Sequence, residues 1–282
     1  MITLNDLSFG YTKVPFLKNI SFEVEEGEIF GFLGPSGAGK STLQKVLIGM
    51  LKNYTGSVVV NGTQVKKHDN RFYENIGIDF EFPSLYEKLT ARQNLEFFAS
   101  LYSGNKRSIN DLLSSVGLLS DADKKVSEYS KGMKSRLNFI KALIHDPRIL
   151  FLDEPTSGLD PTNSYIMKKL ILEEKERGKT IILTTHNMQD ATQLCNRVAF
   201  IIDGEIRALD TPHNLIMQKS AATIVYTYLQ NGEEKSCECE ITKTQQDPLL
   251  KNLIANNSLQ TIHSKEQTLG DVFMEITGRR LS

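Results

Sequence analysis

A glycine-rich run near the N-terminus has the residue types and spacing of a phosphate-binding loop. Gly34 is followed five positions later by Gly39, Lys40 and Ser41. Glycines let the backbone turn its N–H groups towards phosphate oxygens, Lys40 adds a positive charge, and a serine hydroxyl is a ligand that Mg²⁺ accepts. The alternative, a chance glycine-rich turn, is disfavoured because an apolar run precedes the loop and a helical segment follows it. The predicted phosphate-binding residues are Gly34, Pro35, Ser36, Gly37, Ala38, Gly39, Lys40, Ser41 and Thr42.

A pair of acids follows a second apolar run. Residues 149–152 are all apolar and lead directly into Asp153 and Glu154, as expected for a buried parallel strand with functional groups at its carboxyl end. Because neighbouring strand residues point to opposite sides, one acid can face a metal while the other faces a water. Asp153 is predicted to hold Mg²⁺ through a water, and Glu154 to be the general base. The alternative is that both acids cap the next helix near Pro155.

A short turn between these two segments is a candidate anion site. Ser130 and Gly132 stand just before an apolar-rich helical segment, and the N-terminus of a helix favours anions.

The elements that must position these residues alternate between strands and helices. We predict an α/β fold with a P-loop NTPase core and a mostly parallel sheet, because apolar runs alternate with helical segments. The predicted division is an ATPase domain over residues 1–218 and a small C-terminal α+β extension over 219–282. Within the first, residues 1–30 form an antiparallel β subdomain and residues 88–146 an inserted helical subdomain. Further predicted elements are strands at 29–33, 58–60, 149–152, 180–184, 198–202, 222–229 and 235–241, and helices at 41–51 and 271–276. Residues 91–117 of the helical subdomain have a helical pattern of apolar residues.

Composition excludes several classes of protein. The chain has 282 residues and a net charge of −1, so a broad basic face for nucleic acid is not expected. No apolar run approaches the ~18 residues that span a bilayer, and we expect no signal peptide. The three cysteines, Cys195, Cys237 and Cys239, form no evident disulfide framework and fit a reducing cytosol. We do not expect a metal site at the last two, because further ligands are missing.

Together these motifs resemble the ATP-binding cassette ATPases over residues 1–210. Tyr11 is similar to the aromatic residue that stacks on adenine, although it could be an ordinary turn aromatic. Ser130 and Gly132 resemble the family signature, and Asp160 ends a run similar to the loop that crosses the dimer interface. His186 resembles the histidine that contacts the γ-phosphate. The resemblance implies ATP and Mg²⁺ as ligands, ATP hydrolysis, and catalytic roles for Lys40, Glu154 and His186.

The resemblance also implies partners and a location. Two subunits, as a homodimer or heterodimer, would hold ATP between the phosphate loop of one and the signature of the other. Integral membrane permease subunits would bind the pair, which would lie in the cytoplasm on the inner face of the cell membrane. Phe97, Phe98 and Tyr102 are either core residues or a groove for such a partner.

Two departures from the family pattern carry specific expectations. Lys131 and Met133 replace the usual signature residues, a variant that resembles single-domain bacterial drug- and antibiotic-resistance exporters. Glu81 stands where the family usually has a glutamine that reaches Mg²⁺, and we predict that Glu81 keeps the metal contact and alters ATP affinity or coupling. The alternative is that the register slips and Glu81 is a solvated loop acid.

The sequence therefore predicts the ATP-hydrolysing subunit of an exporter. Two alternatives stay open. One is a soluble ATP-driven clamp or regulator that acts on nucleic acid or protein. The other is a nucleotide switch that hydrolyses little, which the intact Glu154 disfavours.

Overall fold

The computed structural model describes residues 1–219, 223–265 and 267–278. The chain folds into two units, Met1–Thr211 and Pro212–Arg280. The boundary expected from the sequence, between residues 218 and 219, remains a prediction. Ala222, where a strand was predicted to begin, lies outside the described residues.

Strands and helices alternate through the first unit. Strands β1 to β10 are Ile2–Phe9, Leu17–Val24, Ile29–Leu33, Tyr54–Val60, Thr63–Gln64, Ile76–Asp79, Ile149–Asp153, Thr180–Thr185, Arg197–Ile202 and Glu205–Asp210. Helices α1 to α6 are Lys40–Leu47, Ala91–Ser100, Ile109–Ser115, Lys131–Leu143, Pro161–Glu176 and Met188–Leu194.

Two sheets build this unit. The first is antiparallel, with strand order β2-β1-β4-β5. The second has the order β10-β9-β3-β8-β7-β6, and all its strands are parallel except β10. In its centre, Ile29 of β3 lies opposite Ile181 of β8, and Phe30 lies opposite Arg197 of β9. The predicted fold class, a mostly parallel sheet with an N-terminal antiparallel part and a helical insertion, is confirmed.

One hydrophobic core joins the two sheets to α1. Phe22 of the antiparallel sheet stacks on Phe30 of β3 at 5.2 Å between ring centroids. Leu43, Val46 and Leu47 of α1 are buried in the same cluster. This packing holds β3 and α1 rigidly and therefore positions the glycine loop that connects them.

One helix boundary differs from the sequence prediction for a local reason, and the first strand contains an irregularity. The predicted helix 41–51 ends at Leu47, because Gly49 adopts a left-handed backbone with φ 78°. The apolar runs at 2–4 and 7–9 belong to the single strand β1, whose register shifts between Asn5 and Ser8. Asp6, with φ 49°, takes up that bulge.

The second unit is a small α+β arrangement. It contains α7 (Pro212–Lys219), β11 (Thr223–Gln230), β12 (Glu233–Glu240), α8 (Pro248–Ala255), β13 (Leu259–Lys265) and α9 (Leu269–Thr277). Its antiparallel sheet has the order β12-β11-β13, and the predicted hairpin turns at Asn231 and Gly232. Ile224 and Tyr226 pack with Leu250 and Leu253 of α8. Among the described residues, there is no group of three or more His, Cys, Asp and Glu side chains that could hold a metal ion.

Candidate active site

Four parallel strands deliver the predicted site residues to one edge of the sheet. The phosphate loop follows β3, Asp153 ends β7, His186 follows β8, and Glu81 lies two residues beyond β6. Because the strands are parallel, their carboxyl ends meet at the same edge, where open α/β sheets bind ligands.

The phosphate loop keeps its shape through glycine and through Lys40. Gly37 has φ 79°, which side-chain-bearing residues rarely adopt, and a Cβ on Gly34 would collide with the carbonyl oxygen of Ile201. The Lys40 ammonium donates to the carbonyl oxygens of Gly34 at 2.7 Å and Pro35 at 3.2 Å. The loop is therefore curled around its own lysine.

Lys40 is a buried cation with carboxylates around it. Only 7% of the residue is exposed, and its Nζ lies 3.9 Å from Glu154 Oε1. Burial lowers the pKa of the Lys40 ammonium, while the carboxylates of Glu154, Asp153 and Glu81 act in the opposite direction. An incoming phosphate would add the negative charge that this buried ammonium is placed to meet.

Asp153 has hydroxyl partners from two other elements. Its Oδ1 accepts hydrogen bonds from Ser41 Oγ at 3.1 Å and from Thr184 Oγ1. Hydroxyl and carboxylate oxygens this close together are ligands that Mg²⁺ accepts, so Ser41 and Asp153 fit that ion. Thr184 was missed as a site residue, and its position at the end of a predicted strand, two residues before His186, was the available signal.

Glu154 does not occupy a strand position, so the expectation of alternating acids was wrong. Strand β7 ends at Asp153, and Glu154 has a left-handed backbone with φ 50°. Its N–H donates to the carbonyl oxygen of Thr184 at 3.0 Å, which turns the chain. Both acids therefore reach the phosphate loop, Asp153 at Ser41 and Glu154 near Lys40.

His186 contacts the predicted base directly. Its Nδ1 lies 2.9 Å from Glu154 Oε1, and its backbone N–H donates to Oε2 at 3.4 Å. The acid pair does not cap the next helix, because Asp160 does so by accepting from the Asn163 N–H at 3.0 Å. The alternative of helix-capping acids at 153 and 154 is thus wrong.

Lys40, Glu154 and His186 line one open cavity of about 320 Å³. Glu81 is an exposed loop residue and lines the cavity together with Lys40, and its contact with a metal remains a prediction. Tyr11 stands beside the cavity: the residue is 62% exposed and its hydroxyl lies 3.1 Å from Thr42 Oγ1. Phe16, which was not predicted, also lines the cavity. The full lining is Phe16, Ser36, Gly37, Gly39, Lys40, Ser41, Thr42, Glu81, Glu154 and His186.

Three predicted residues lie where α4 and α5 begin, with Ser130 and Asp160 exposed and Gly132 buried. Ser130 caps α4 by accepting from the Met133 N–H at 3.3 Å. Gly132 fits against α5, because a Cβ there would lie 2.6 Å from Asn163 Cγ. Asn163 Nδ2 also donates to Asp160 Oδ2 at 2.6 Å, and the hydrogen bonds from Asn163 lower the pKa of the Asp160 carboxyl. Ser130, Gly132 and Asp160 do not line the cavity around Lys40.

The aromatic residues of the helical segment separate into two groups. Tyr102 stacks on the buried His145, with ring centroids 3.7 Å apart, and therefore belongs to the packing of the segment. Tyr86, Phe97 and Phe98 pack edge to face or tilted at 5.0–6.0 Å. Tyr86 and Phe97 are exposed, so these three residues form an aromatic surface on the helical segment.

Comparisons with known proteins all indicate the same family. The model of the family described as ABC transporter matches residues 17–157. A fluoroquinolones export ATP-binding protein of Mycobacterium tuberculosis (strain CDC 1551 / Oshkosh) is 46% identical over 285 residues, covering 100% of this chain and 95% of its own. A Nod factor export ATP-binding protein I of Rhizobium etli is 32% identical over 300 residues, which cover 99% of this chain and 94% of the relative.

Solved structures share the fold. The ATP binding subunit of an ABC transporter is 29% identical, with a TM-score of 0.71, over 77% of this chain and 92% of its own. The ATP-binding cassette MJ0796, in a dimeric post-hydrolysis state bound to ADP and Pi, is 26% identical, with a TM-score of 0.67. The match covers 75% of this chain and 98% of the solved chain.

Proposed function

Because the chain belongs to the ABC transporter family, as an ATP-binding subunit that hydrolyses ATP, we propose that it works as a pair in an exporter with separate membrane subunits. The observation that carries the proposal is the separation of the predicted residues into two surfaces. One surface surrounds Lys40, and the other contains Ser130, Gly132 and Asp160. We propose that the first surface binds this subunit's ATP and the second contacts the ATP of its partner.

The chemistry follows from the groups around the phosphate loop. The Lys40 ammonium binds the outer phosphates, and Tyr11 stacks on the adenine. Glu154 accepts a proton from the attacking water, and His186 orients the Glu154 carboxylate through their 2.9 Å contact. Ser41 and Asp153, with Glu81, would hold Mg²⁺, which neutralises charge that develops on the phosphates. Positioning and charge stabilisation account for most of the catalysis in such a site.

The transport role is drawn from the relatives and from the aromatic surface. The Mycobacterium and Rhizobium relatives are both named export ATP-binding proteins, and they align with nearly the whole chain. Among the described residues, no helix combines the length and apolar character that crossing a membrane requires. We propose that the surface of Tyr86, Phe97 and Phe98 receives a segment of a membrane subunit and holds the ATPase at the cytoplasmic face of the membrane. No observation favours the alternative of a soluble clamp.

Capture of the native complex tests the exporter assignment. Affinity-tagged subunit purified from its own membranes in mild detergent should bring down a polytopic membrane protein, and the double variant Phe97→Ser/Phe98→Ser should lose it while keeping ATPase activity. Capture of a ribosomal, DNA-bound or soluble partner in its place would support the clamp and overturn the exporter assignment.

Ser130 tests whether the signature acts on the partner's ATP. In Ser130→Asp, aspartate still caps α4, but its charge would repel the phosphates of the partner's ATP. We expect ATP-driven dimerisation and hydrolysis to be lost, whereas ATP binding by single subunits, measured by calorimetry, is unchanged. Ser108→Asp is a matched control, because Ser108 caps α3 in the same way by accepting from the Asp111 N–H at 3.3 Å. Normal turnover of Ser130→Asp would contradict the proposal.

Glu81 tests the unusual charge beside the phosphate loop. Glu81→Gln removes a negative charge that lines the same cavity as Lys40. Removing an exposed charge of this kind is worth about 1 kcal/mol, so we expect about fivefold tighter ATP binding together with a changed Mg²⁺ dependence. The matched control is Glu87→Gln, an exposed glutamate that pairs with Lys134 at 2.7 Å. Unchanged affinity, rate and Mg²⁺ dependence would contradict the role given to Glu81.

A further inference from the structure

Asp79 is a buried acid that takes no part in the proposed hydrolysis. It ends β6 opposite Leu152, with 4% of the residue exposed. Its Oδ1 accepts a hydrogen bond from Asn138 Nδ2, and the Lys141 ammonium is an opposing charge that acts on it. A buried carboxylate is costly, and both of these α4 residues favour its charged form.

The same two residues of α4 also hold both ends of a loop. Asn138 Nδ2 donates to the carbonyl oxygen of Phe80 at 3.2 Å, and Lys141 Nζ donates to that of Ser84 at 3.4 Å. Lys141 Nζ also donates to Asn138 Oδ1 at 2.6 Å, which joins the two contacts. Residues 81–84, from the position after Phe80 to the second anchor, are exposed and belong to no helix or strand. We call residues 80–84 the Glu81 loop.

We propose that Asn138 and Lys141 are positioning residues that fix the Glu81 loop to α4, so that the placement of Glu81 and of Ser130 is coupled within one subunit. The coupling follows from geometry, because α4 runs unbroken from its cap at Ser130 through Asn138 to Lys141. Asp79 anchors the arrangement to the parallel sheet. The inference rests on the proposed function, in which Glu81 faces this subunit's ATP and Ser130 the ATP of the partner.

Lys141 also contacts the aromatic surface formed by Tyr86, Phe97 and Phe98. The Lys141 ammonium lies 5.0 Å from the centroid of the Phe98 ring, within the range of a cation–π contact. A membrane segment seated on that surface would therefore meet a side chain that already holds the Glu81 loop. Helix α4 is thus connected to Glu81, to Ser130 and to the aromatic surface proposed to bind a membrane subunit.

The experiment compares loop order, binding and turnover in Asn138→Leu, which removes the amide at nearly constant volume. Backbone NMR order parameters at residues 81, 82 and 84 should fall from about 0.85 to below about 0.6, with no change in α1, because the anchors no longer hold the loop. The turnover number should fall about tenfold, while the ATP affinity of single subunits changes less than about threefold, since the phosphate loop is untouched. Asn110→Leu is the matched control, because Asn110 makes a side-chain hydrogen bond to Arg92 at 2.7 Å elsewhere in the helical segment.

A double-mutant cycle distinguishes positioning of Glu81 from a general structural role. If Asn138 acts through Glu81, Asn138→Leu should change turnover less than about twofold in a Glu81→Ala background. Lys141→Met keeps the aliphatic stem and the Asn138–Asp79 pair, and it should loosen residues 81–84 even if Asn138→Leu folds poorly. Equal effects of Asn138→Leu in both backgrounds, or unchanged order parameters of residues 81, 82 and 84 in Lys141→Met, would overturn the inference.

The outcome for Glu81 itself separates this inference from the proposed function. If Glu81→Ala alone leaves turnover and Mg²⁺ dependence unchanged, the site role of Glu81 fails. If Glu81→Ala lowers turnover but the loop stays ordered in both α4 variants, only the positioning network fails.

Discussion

Lys40→Ala should weaken ATP binding by at least about 100-fold, since two charge-assisted contacts to phosphate are worth roughly 1.5–3 kcal/mol each. The lysine already points into the site: its Nζ is held by the carbonyl oxygens of Gly34 and Pro35 and lies 3.9 Å from Glu154. Titration of the purified subunit with a fluorescent ATP analogue measures the effect directly.

The control for this variant must separate binding from folding. Lys40 is buried beside Glu154, so its removal leaves a carboxylate without its cation, and thermal unfolding should be recorded in parallel. Lys45→Ala makes the same change later in α1, at a side chain that does not line the cavity, and should bind ATP normally. ATP affinity within about threefold of wild type in a folded Lys40→Ala would refute the phosphate-loop assignment.

The parts of the site that could be predicted are those formed by neighbours in sequence. The segment around the phosphate loop is a strand, a glycine turn and a helix in succession, and the structure contains this succession as β3, the loop and α1. The same holds for the acids after β7, because an apolar run that ends in polar residues marks the carboxyl end of a buried strand. Local pattern therefore identified the edge of the sheet at which the site lies.

Contacts between distant segments could not be predicted in this way. Thr184 and Asp153 are 31 residues apart, and Asn138 and Asp79 are 59 apart. Each pair meets only because β6, β7 and β8 are adjacent in the sheet and α4 packs near β6. The left-handed backbone of Glu154 has the same origin, since its N–H is turned towards the Thr184 carbonyl of the neighbouring strand.

Glu154→Gln should lower the turnover number by about 10²–10⁴-fold, the usual contribution of a general base, without loss of ATP binding. Glutamine keeps the shape of the side chain and an oxygen that can face His186 Nδ1, which lies 2.9 Å from Glu154 Oε1. The variant lacks only the basic carboxylate. Lys40 and the phosphate loop, which we propose bind ATP, are unchanged.

Loss of hydrolysis with binding intact should trap the pair. In the proposed cycle, ATP between two subunits closes the dimer and hydrolysis opens it, so Glu154→Gln should accumulate as an ATP-bound dimer in light scattering, while wild type returns to monomer. Glu173→Gln is the control, because Glu173 is an exposed acid of α5 whose nearest cation is Lys169 at 3.8 Å. A Glu154→Gln variant that stays monomeric with ATP would contradict the shared site, and wild-type turnover would contradict the role of Glu154 as base. In the proposed cycle, dimer closure depends on Ser130 meeting the partner's ATP, whereas proton transfer depends on the carboxylate beside Lys40. A monomeric variant therefore counts against the shared site only when its turnover is lost, because a variant that still hydrolyses ATP would reopen as wild type does.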